Sequence, residues 1–407
     1  MYSKIFKFYF ILKKIKWIKN KSLKTKIIIF DCITLETLKK HVLKNYQYFV
    51  ISNRLDKIKL YLSVEIIMHF FKNYIFFLNK KLLIQDIYFL TLIEIINPKI
   101  VLTIIDFNPQ FCKIAKNINN KNIKFIALQA SMKHQRKFST HLYRQGLLKK
   151  NLNLEFYYPL YLLLGKYDLK ECSENNIKII KSDFVGSLNL ANFLKSIKKK
   201  TFKKKYDICL ISDHGAYHDE FGKEKIRLDN FKLIEKGYIA LTKWTIKLSI
   251  KNKLKFIFIF KRKKNTHESK NEKFYYKKLL SKKDYSYLLK NSSFNSRHNV
   301  YNSYKKVFQS KLTLSVSSTL LREALVTKNK ILSCNFTGFK IFDFPIKGLC
   351  YFSKINYKKF EERVKNLIKI KKKDYFSKLS KNPNYLIHHS DPEMTIGLIQ
   401  KHINYYF

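Results

Sequence analysis

The segment 312–336, which reads LTLSVSSTLLREALVTKNKILSCNF, constrains the fold more than any other part of the chain. The pattern predicts an apolar strand at 312–316, a helix that starts near 317–319, and a second strand at 330–334. Strands joined by a helical crossover of this length run parallel in one sheet. The segment therefore predicts a strand–helix–strand unit of an α/β protein.

Three hydroxyl residues, Ser317, Ser318 and Thr319, begin the predicted helix. Hydroxyl residues at a helix start leave backbone N–H groups pointing at one place, with the positive end of the helix dipole behind them. Such a corner binds phosphate. Glu323, about one turn further along the helix, carries a carboxylate that can reach a ribose or sugar hydroxyl. The segment predicts half of a nucleotide-sugar pocket, although ordinary helix capping and a solvated helix face remain open for these residues.

Strands and helices alternate along the rest of the chain, and continuous β-branched runs between helices favour parallel sheets covered on both faces. Further strands are predicted at 25–32, 46–52, 100–107, 123–129, 157–165, 177–185, 206–212 and 254–260. Helices are predicted at 60–78, 83–96, 228–251, 357–369 and 395–404, and a further one near 272–290.

The length of 407 residues is sufficient for two domains, each with its own core. The stretch 198–205, KKKTFKKK, predicts an exposed linker because its lysines do not pack. We therefore predict an α/β fold with two Rossmann-like domains whose parallel sheets face a central cleft. The predicted divisions are an N-terminal domain at 1–197, a C-terminal domain at 206–380 and a C-terminal helical segment at 381–407.

The net charge of +53 raises the question of a nucleic-acid partner. Only eight of the 82 basic residues are Arg, the residue that dominates bidentate recognition of phosphate and guanine. Lys also accompanies abundant Ile, Asn, Phe and Tyr, which A/T-rich codons encode. We therefore expect no nucleic-acid partner, and coding bias and attraction to an anionic membrane surface both remain open.

The six cysteines are scattered without a C-x-x-C motif, which fits a reducing cytoplasm better than a disulfide framework. No apolar run reaches the ~20 residues that span a bilayer. The stretch 5–18, IFKFYFILKKIKWI, mixes aromatic residues with Lys and has no cleavage site. It is either an ordinary first element or a segment that lies on an anionic membrane. We expect a cytoplasmic protein, and peripheral attachment to the inner face of the cell membrane remains open.

Several motifs together resemble the surface-carbohydrate biosynthesis proteins of bacteria. In the C-terminal half they are SSTLLREAL (317–325), KNKILSCNFTG (328–338), DFP (343–345) and FEERVKNLIKIKKKDYF (360–376). In the N-terminal half they are PKIVLTIIDFN (98–108), IKFIALQ (123–129) and VGSL (185–188). The resemblance implies a two-domain fold of the GT-B type, related to nucleotide-sugar epimerases and polyglycerol-phosphate transferases. The chain departs from that pattern at 129–131, which lacks a Gly, and at Leu321, where the family often has Gly.

The implied activity is metal-independent transfer of a sugar from a nucleotide-sugar donor to a growing surface glycan, such as a polysaccharide or lipopolysaccharide, or to its lipid-linked precursor. No cofactor is implied, because the nucleotide sugar is the substrate. The departing nucleoside diphosphate gains negative charge, which helix N-termini and cations must stabilise. Lys261, just beyond the strand at 254–260, is expected at the same sheet edge and carries such a cation.

An inverting transferase needs a base for the acceptor hydroxyl, and in this fold the base normally follows a strand of the N-terminal domain. Asp106 has that position, and His134 is a neighbour that can share the role. Asp106 is also typical of an ordinary turn. Gln129 and the loop at Asp213 and His214 are expected to line the cleft.

Metal binding is not expected, since His214 and His218 have zinc-like spacing but are separated by Gly215 and lack an obvious third ligand. Three other readings remain open: a non-hydrolysing nucleotide-sugar 2-epimerase, a lysine-rich nucleic-acid-binding protein and a GT-B scaffold without activity. The epimerase needs a compact acid/base set that the sequence does not display.

Overall fold

The fold consists of two six-stranded parallel sheets with helices packed against them. The predicted α/β class with two Rossmann-like domains is therefore confirmed. The computed structural model describes residues 15–17, 25–31, 35–52, 59–77, 82–105, 108–131, 156–175, 177–197, 202–214, 228–296 and 300–407.

The strands, in chain order from β1 to β14, are Ile15–Trp17, Ile27–Phe30, Tyr48–Ile51, Leu60–Leu62, Ile100–Thr103, Lys124–Leu128, Tyr157–Leu163, Lys178–Phe184, Tyr206–Ile211, Phe256–Ile259, Ser292–Ser293, Ser310–Ser315, Ile331–Cys334 and Tyr351–Phe352. The α-helices, from α1 to α14, are Leu35–Lys39, Val64–Phe77, Ile84–Ile96, Pro109–Asn117, Lys166–Glu174, Leu188–Ser196, Leu228–Lys251, His267–Leu279, Lys282–Lys290, Asn302–Phe308, Thr319–Val326, Tyr357–Lys369, Lys372–Ser377 and Pro392–Asn404. Short 3-10 turns occupy Lys340–Phe342 and Pro383–Tyr385.

The first sheet has the order β3-β2-β5-β6-β7-β8, and the second has the order β11-β10-β9-β12-β13-β14. Strands β2, β5, β10 and β13 are buried at every position. This burial explains why they read as continuous apolar runs without alternation. Numbered within its own domain, the second sheet has the order 3-2-1-4-5-6 of a Rossmann fold.

The first residues of one predicted helix form a strand in the structure. The sequence predicted a helix over 60–78, whereas Leu60–Leu62 forms β4, which pairs in parallel with β1 in a separate two-stranded sheet, and the helix α2 begins at Val64. The first three residues are all apolar and continue into an apolar helix, so periodicity alone does not separate a short strand from a helix at this position.

The stretch predicted as an exposed linker is anchored at its C-terminal end. The Lys204 ammonium donates to the Phe308 carbonyl at 2.8 Å and to Asn329 Oδ1 at 3.1 Å. The pKa of Lys204 is lowered to about 8, mainly by burial and to a smaller extent by the nearby positive charges of Lys372 and Lys330. This lysine is therefore a packing residue, unlike its exposed neighbours.

The last helix, α14, returns from the second sheet to the first. Ile396, Ile399 and Ile403 are buried in the core beneath the first sheet. The Lys195 ammonium lies 2.8 Å from the Glu393 carboxylate. The end of the chain therefore ties the two domains together.

Among the described residues, Cys112, Cys172, Cys209, Cys334 and Cys350 are free and buried. No helix within the described ranges combines the length and apolarity needed to cross a membrane.

Candidate functional site

The carboxyl edge of the second sheet brings together two segments that the sequence singled out. Asp213 follows β9 and Ser317 follows β12, and these two strands are hydrogen-bonded neighbours. The chain leaves β9 toward β10 on one side and leaves β12 toward β13 on the other. Ligands of open α/β sheets bind in the crevice at such a switch point.

Asp213 is bonded to the turn that precedes the hydroxyl corner. Its carboxylate accepts from the amides of Val316 at 2.8 Å and Ser317 at 3.1 Å, and from the Ser315 hydroxyl at 2.8 Å. Burial raises the pKa of Asp213, while these hydrogen bonds and the charge of Lys261 act in the opposite direction. Two backbone amides at the corner therefore already donate hydrogen bonds to a carboxylate of the protein.

The hydroxyl corner itself is half-buried at Ser317, Ser318 and Thr319 and is not sealed in the core. Ser318 caps α11, because its Oγ accepts from the Leu320 amide at 3.3 Å. The Oγ of Ser317 is buried without a hydrogen-bond partner in the described part of the chain. Buried polar atoms are normally paired, so this hydroxyl has bonding capacity for a ligand oxygen.

A second buried carboxylate, Glu272 on α8, lies at the same sheet edge. It accepts from the amides of Lys261 and Arg262, both at 3.0 Å, and from the Ser212 hydroxyl at 2.5 Å. Burial raises the pKa of Glu272, although its hydrogen bonds and Lys261 oppose the shift. The turn after β10 is thus held in place while the Lys261 side chain stays exposed.

His214 lies next to Asp213, and its amide donates to the Ser212 hydroxyl at 3.3 Å. Its ring packs against Tyr275 with centroids 4.7 Å apart. His218, which the sequence analysis paired with His214, lies outside the described residues. Within the described ranges, no group of three or more His, Cys, Asp or Glu side chains is placed to hold a metal ion.

Helix α11 joins the two domains through a buried ion pair. The Arg322 Nη1 atom lies 3.1 Å from Asp168 Oδ1, and both side chains are 0% exposed. The guanidinium also lies 4.8 Å from the centre of the Tyr167 ring. The ion pair thus connects the helix that follows β12 with α5, which follows β7 of the first sheet.

Glu323, the next residue, makes a second contact between the domains. Its carboxylate accepts from the Ser187 hydroxyl at 2.5 Å and from the Tyr304 hydroxyl at 2.8 Å. Burial raises the pKa of Glu323 to about 7, and the two hydroxyl donors oppose that shift. Glu323 is only 2% exposed. The contact with a ribose or sugar that the sequence predicted requires these two bonds to open.

The carboxyl edges of the two sheets face each other at this boundary. Leu164 follows β7 and Ser187 follows β8, and both pack with residues of the second domain. The ring of Phe193 on α6 stacks on Tyr304 of α10 with centroids 4.8 Å apart. The domains are therefore in direct contact on the β7–β8 side.

Gln129 is fully buried at the end of β6. Its side-chain oxygen accepts from the Leu164 amide at 2.9 Å, and its side-chain nitrogen donates to the Ser131 carbonyl at 3.0 Å. The side chain joins the ends of β6 and β7. The two predicted catalytic residues, Asp106 and His134, lie outside the described residues.

The sequence did not predict Glu272, the Arg322–Asp168 pair, or the roles of Ser187 and Tyr304. Arg322 offered a signal, since it is one of only eight arginines and lies on a largely apolar helix. A buried charge on such a helix requires a partner. No local pattern indicates that the partner is Asp168, because 154 residues separate them.

No protein-family model and no curated protein matches the sequence. Several solved structures have a similar fold at low sequence identity. A Listeria monocytogenes protein thought to be a UDP-N-acetylglucosamine 2-epimerase is 11% identical, with a TM-score of 0.49 over 94% of this chain and 97% of its own. The UDP-GlcNAc 2-epimerase of Methanocaldococcus jannaschii is 12% identical, with a TM-score of 0.47 over 93% and 99%.

The wall teichoic acid polymerase TagF is also similar, at 12% identity and a TM-score of 0.44 over 98% of this chain and 93% of that chain. Similarity at this level carries no argument about chemistry. The fold class rests on the two parallel sheets of the chain itself.

Proposed function

We propose that the chain is a metal-independent glycosyltransferase that takes a sugar from a nucleotide-sugar donor. The observation that supports the proposal most is the half-buried hydroxyl corner at the switch point between β9 and β12, where the Ser317 hydroxyl has no hydrogen-bond partner among the described residues. In this proposal the donor diphosphate is bound by Ser317, Ser318 and Thr319, with Lys261 supplying positive charge.

The acceptor is proposed to be a surface glycan or its lipid-linked precursor, and the enzyme to act in the cytoplasm beside the membrane. Asp106, with His134 as a neighbour, is the proposed base for the acceptor hydroxyl. Glu323 is proposed to contact the donor only in a state in which its bonds to Ser187 and Tyr304 have opened.

A thermal-shift panel of UDP-, CDP-, GDP- and CMP-sugars tests the donor site, because a ligand that binds only the folded state raises the melting temperature. We expect a rise for one nucleotide class in the wild type and its loss in Ser318→Ala. Ser281→Ala is the matched control, since Ser281 also caps a helix, with its Oγ 3.1 Å from the Asp284 amide. A shift that persists in Ser318→Ala contradicts this location for the site.

Product analysis separates transfer from epimerisation. The purified enzyme is incubated with the donor identified by the panel, with and without a glycan acceptor. Transfer predicts nucleoside diphosphate release that depends on the acceptor. Acceptor-independent conversion of the donor to its C2 epimer contradicts the transferase proposal and supports the epimerase.

A further inference from the structure

Helix α2 is anchored to the first domain by one of its two faces. Ile66 and Phe77 on that face are buried in the core. Asn73 lies between them, and its Nδ2 donates to Thr91 Oγ1 at 3.0 Å and to Glu94 Oε2 at 2.8 Å. The orientation of the helix is therefore fixed by both packing and buried hydrogen bonds.

The opposite face of α2 is apolar and open to solvent. Val64, Met68, Phe71 and Ile75 are 69%, 61%, 59% and 69% exposed. Their spacing of four, three and four residues places them in one stripe along the helix. The surface is extended by further exposed apolar side chains, namely Tyr74, Phe76, Leu83 and Ile84. We call these eight residues the α2 face.

An apolar surface of this kind marks an interaction site, since the outer face of a surface helix is normally polar. The helix has 14 residues, fewer than the ~20 that cross a bilayer. Its exposed stripe of apolar and aromatic side chains is suited to the boundary between lipid headgroups and acyl chains.

The charges near the α2 face favour an anionic lipid surface over a second copy of this chain as the binding partner. Lys72 is exposed on α2, and Lys59 is exposed just before β4. Glu65, in the first turn, is the one acidic residue of the helix and is half-buried. A second copy of this chain also carries +53 and is repelled, whereas anionic lipid attracts lysines beside an apolar surface.

We propose that the α2 face docks this protein on the surface of an anionic lipid bilayer. The apolar side chains enter the boundary between headgroups and acyl chains, while the neighbouring lysines contact the anionic headgroups. This inference deepens the membrane-peripheral part of the proposed function and names the surface responsible.

The test is co-sedimentation of the full chain with phosphatidylcholine vesicles that contain or lack phosphatidylglycerol, without nucleotide sugar. We expect the wild type to bind the anionic vesicles, with weaker binding at high salt. In the triple variant Met68→Ser/Phe71→Ser/Ile75→Ser, vesicle affinity is expected to fall at least about tenfold. Binding then no longer transfers three apolar side chains from water into the bilayer. The proposal is overturned if the wild-type protein does not bind anionic vesicles, or if the triple variant binds them as tightly as the wild type.

A matched control carries the same chemical change elsewhere, in Ile180→Ser/Phe274→Ser/Ile355→Ser. These side chains are 54%, 67% and 66% exposed, so both triples remove exposed apolar groups. The control is expected to keep wild-type vesicle affinity, and an equal loss in the control overturns the proposal. A wild-type dimer that becomes a monomer in the α2-face triple, by light scattering, also overturns it in favour of a second copy.

The nucleotide-sugar thermal shift of the α2-face triple, measured without vesicles, separates this inference from the proposed function. An unchanged shift with lost vesicle binding supports both. Vesicle binding without any nucleotide-sugar shift in the wild type contradicts the donor site and leaves the docking surface supported.

Discussion

Asp168 and Glu323 are two buried carboxylates at the same boundary between the domains, and they are stabilised in different ways. Asp168 faces the Arg322 guanidinium, so its negative charge is neutralised by a cation. Among the described residues, Glu323 accepts hydrogen bonds from the hydroxyls of Ser187 and Tyr304 and has no cation beside it. The first contact is an ion pair, whereas the second changes its charge near neutral pH because burial raises the pKa of Glu323 to about 7.

The largest expected effect comes from removing the cation. Arg322→Met removes the guanidinium from beside the buried Asp168 carboxylate, and we expect a loss of about 3–5 kcal/mol in unfolding free energy by chemical denaturation. Lys170→Met is the control, because the Lys170–Glu174 pair is 58% and 48% exposed and contributes about 1 kcal/mol or less. Equal losses in both variants contradict the assigned importance of the buried pair.

The second prediction concerns pH. Glu323 has a pKa of about 7 in the folded protein and an ordinary value of 4.5, so folding favours its protonated form. The resulting stability is fully present below about pH 4.5 and is lost as pH rises toward about 7, a change of about 3 kcal/mol at 1.36 kcal/mol per pKa unit. Glu323→Gln removes this titration while the Asp213 and Glu272 carboxyls stay. Identical pH dependence of stability in both proteins contradicts the prediction.

The smallest effect is expected from Tyr304→Phe, which removes one donor to Glu323 at a cost of about 0.5–1.5 kcal/mol. Because that donor favours the charged carboxylate, its loss also moves the Glu323 titration to higher pH. Tyr375→Phe is the matched control, since its hydroxyl donates to the Ile331 carbonyl at 2.7 Å, away from the boundary. A pH midpoint that is unchanged in Tyr304→Phe removes the assigned role of this hydroxyl.

The same comparison explains how far sequence reasoning reaches. Most strands of both sheets were predictable from their apolar runs, whereas β11 and β14 were not predicted because two residues are too few to form a pattern. The helices Leu228–Lys251 and Tyr357–Lys369 match the predicted helices at both ends. Asp213 and Ser317 were also singled out in advance, since each follows a strand that ends at the same sheet edge.

Long-range pairing was not predictable. Asp213 was expected to line the cleft, whereas its carboxylate accepts hydrogen bonds from backbone amides 103 and 104 residues away. Glu323 was predicted to reach a ribose or sugar hydroxyl because it carries a carboxylate near the helix start. Only the packing of α6 and α10 against α11 shows which protein hydroxyls surround it. A polar residue at a predicted helix surface carries no local mark of burial between domains.

The most direct test of the central claim is a calorimetric titration of a nucleotide sugar into the wild type, Ser318→Ala and Ser281→Ala. Binding at the corner between β9 and β12 predicts a saturable heat in the wild type and in Ser281→Ala, and affinity at least about tenfold weaker in Ser318→Ala because a charged hydrogen bond is lost. Equal affinity in all three proteins, or no binding of any UDP-, CDP-, GDP- or CMP-sugar to the wild type, contradicts the account.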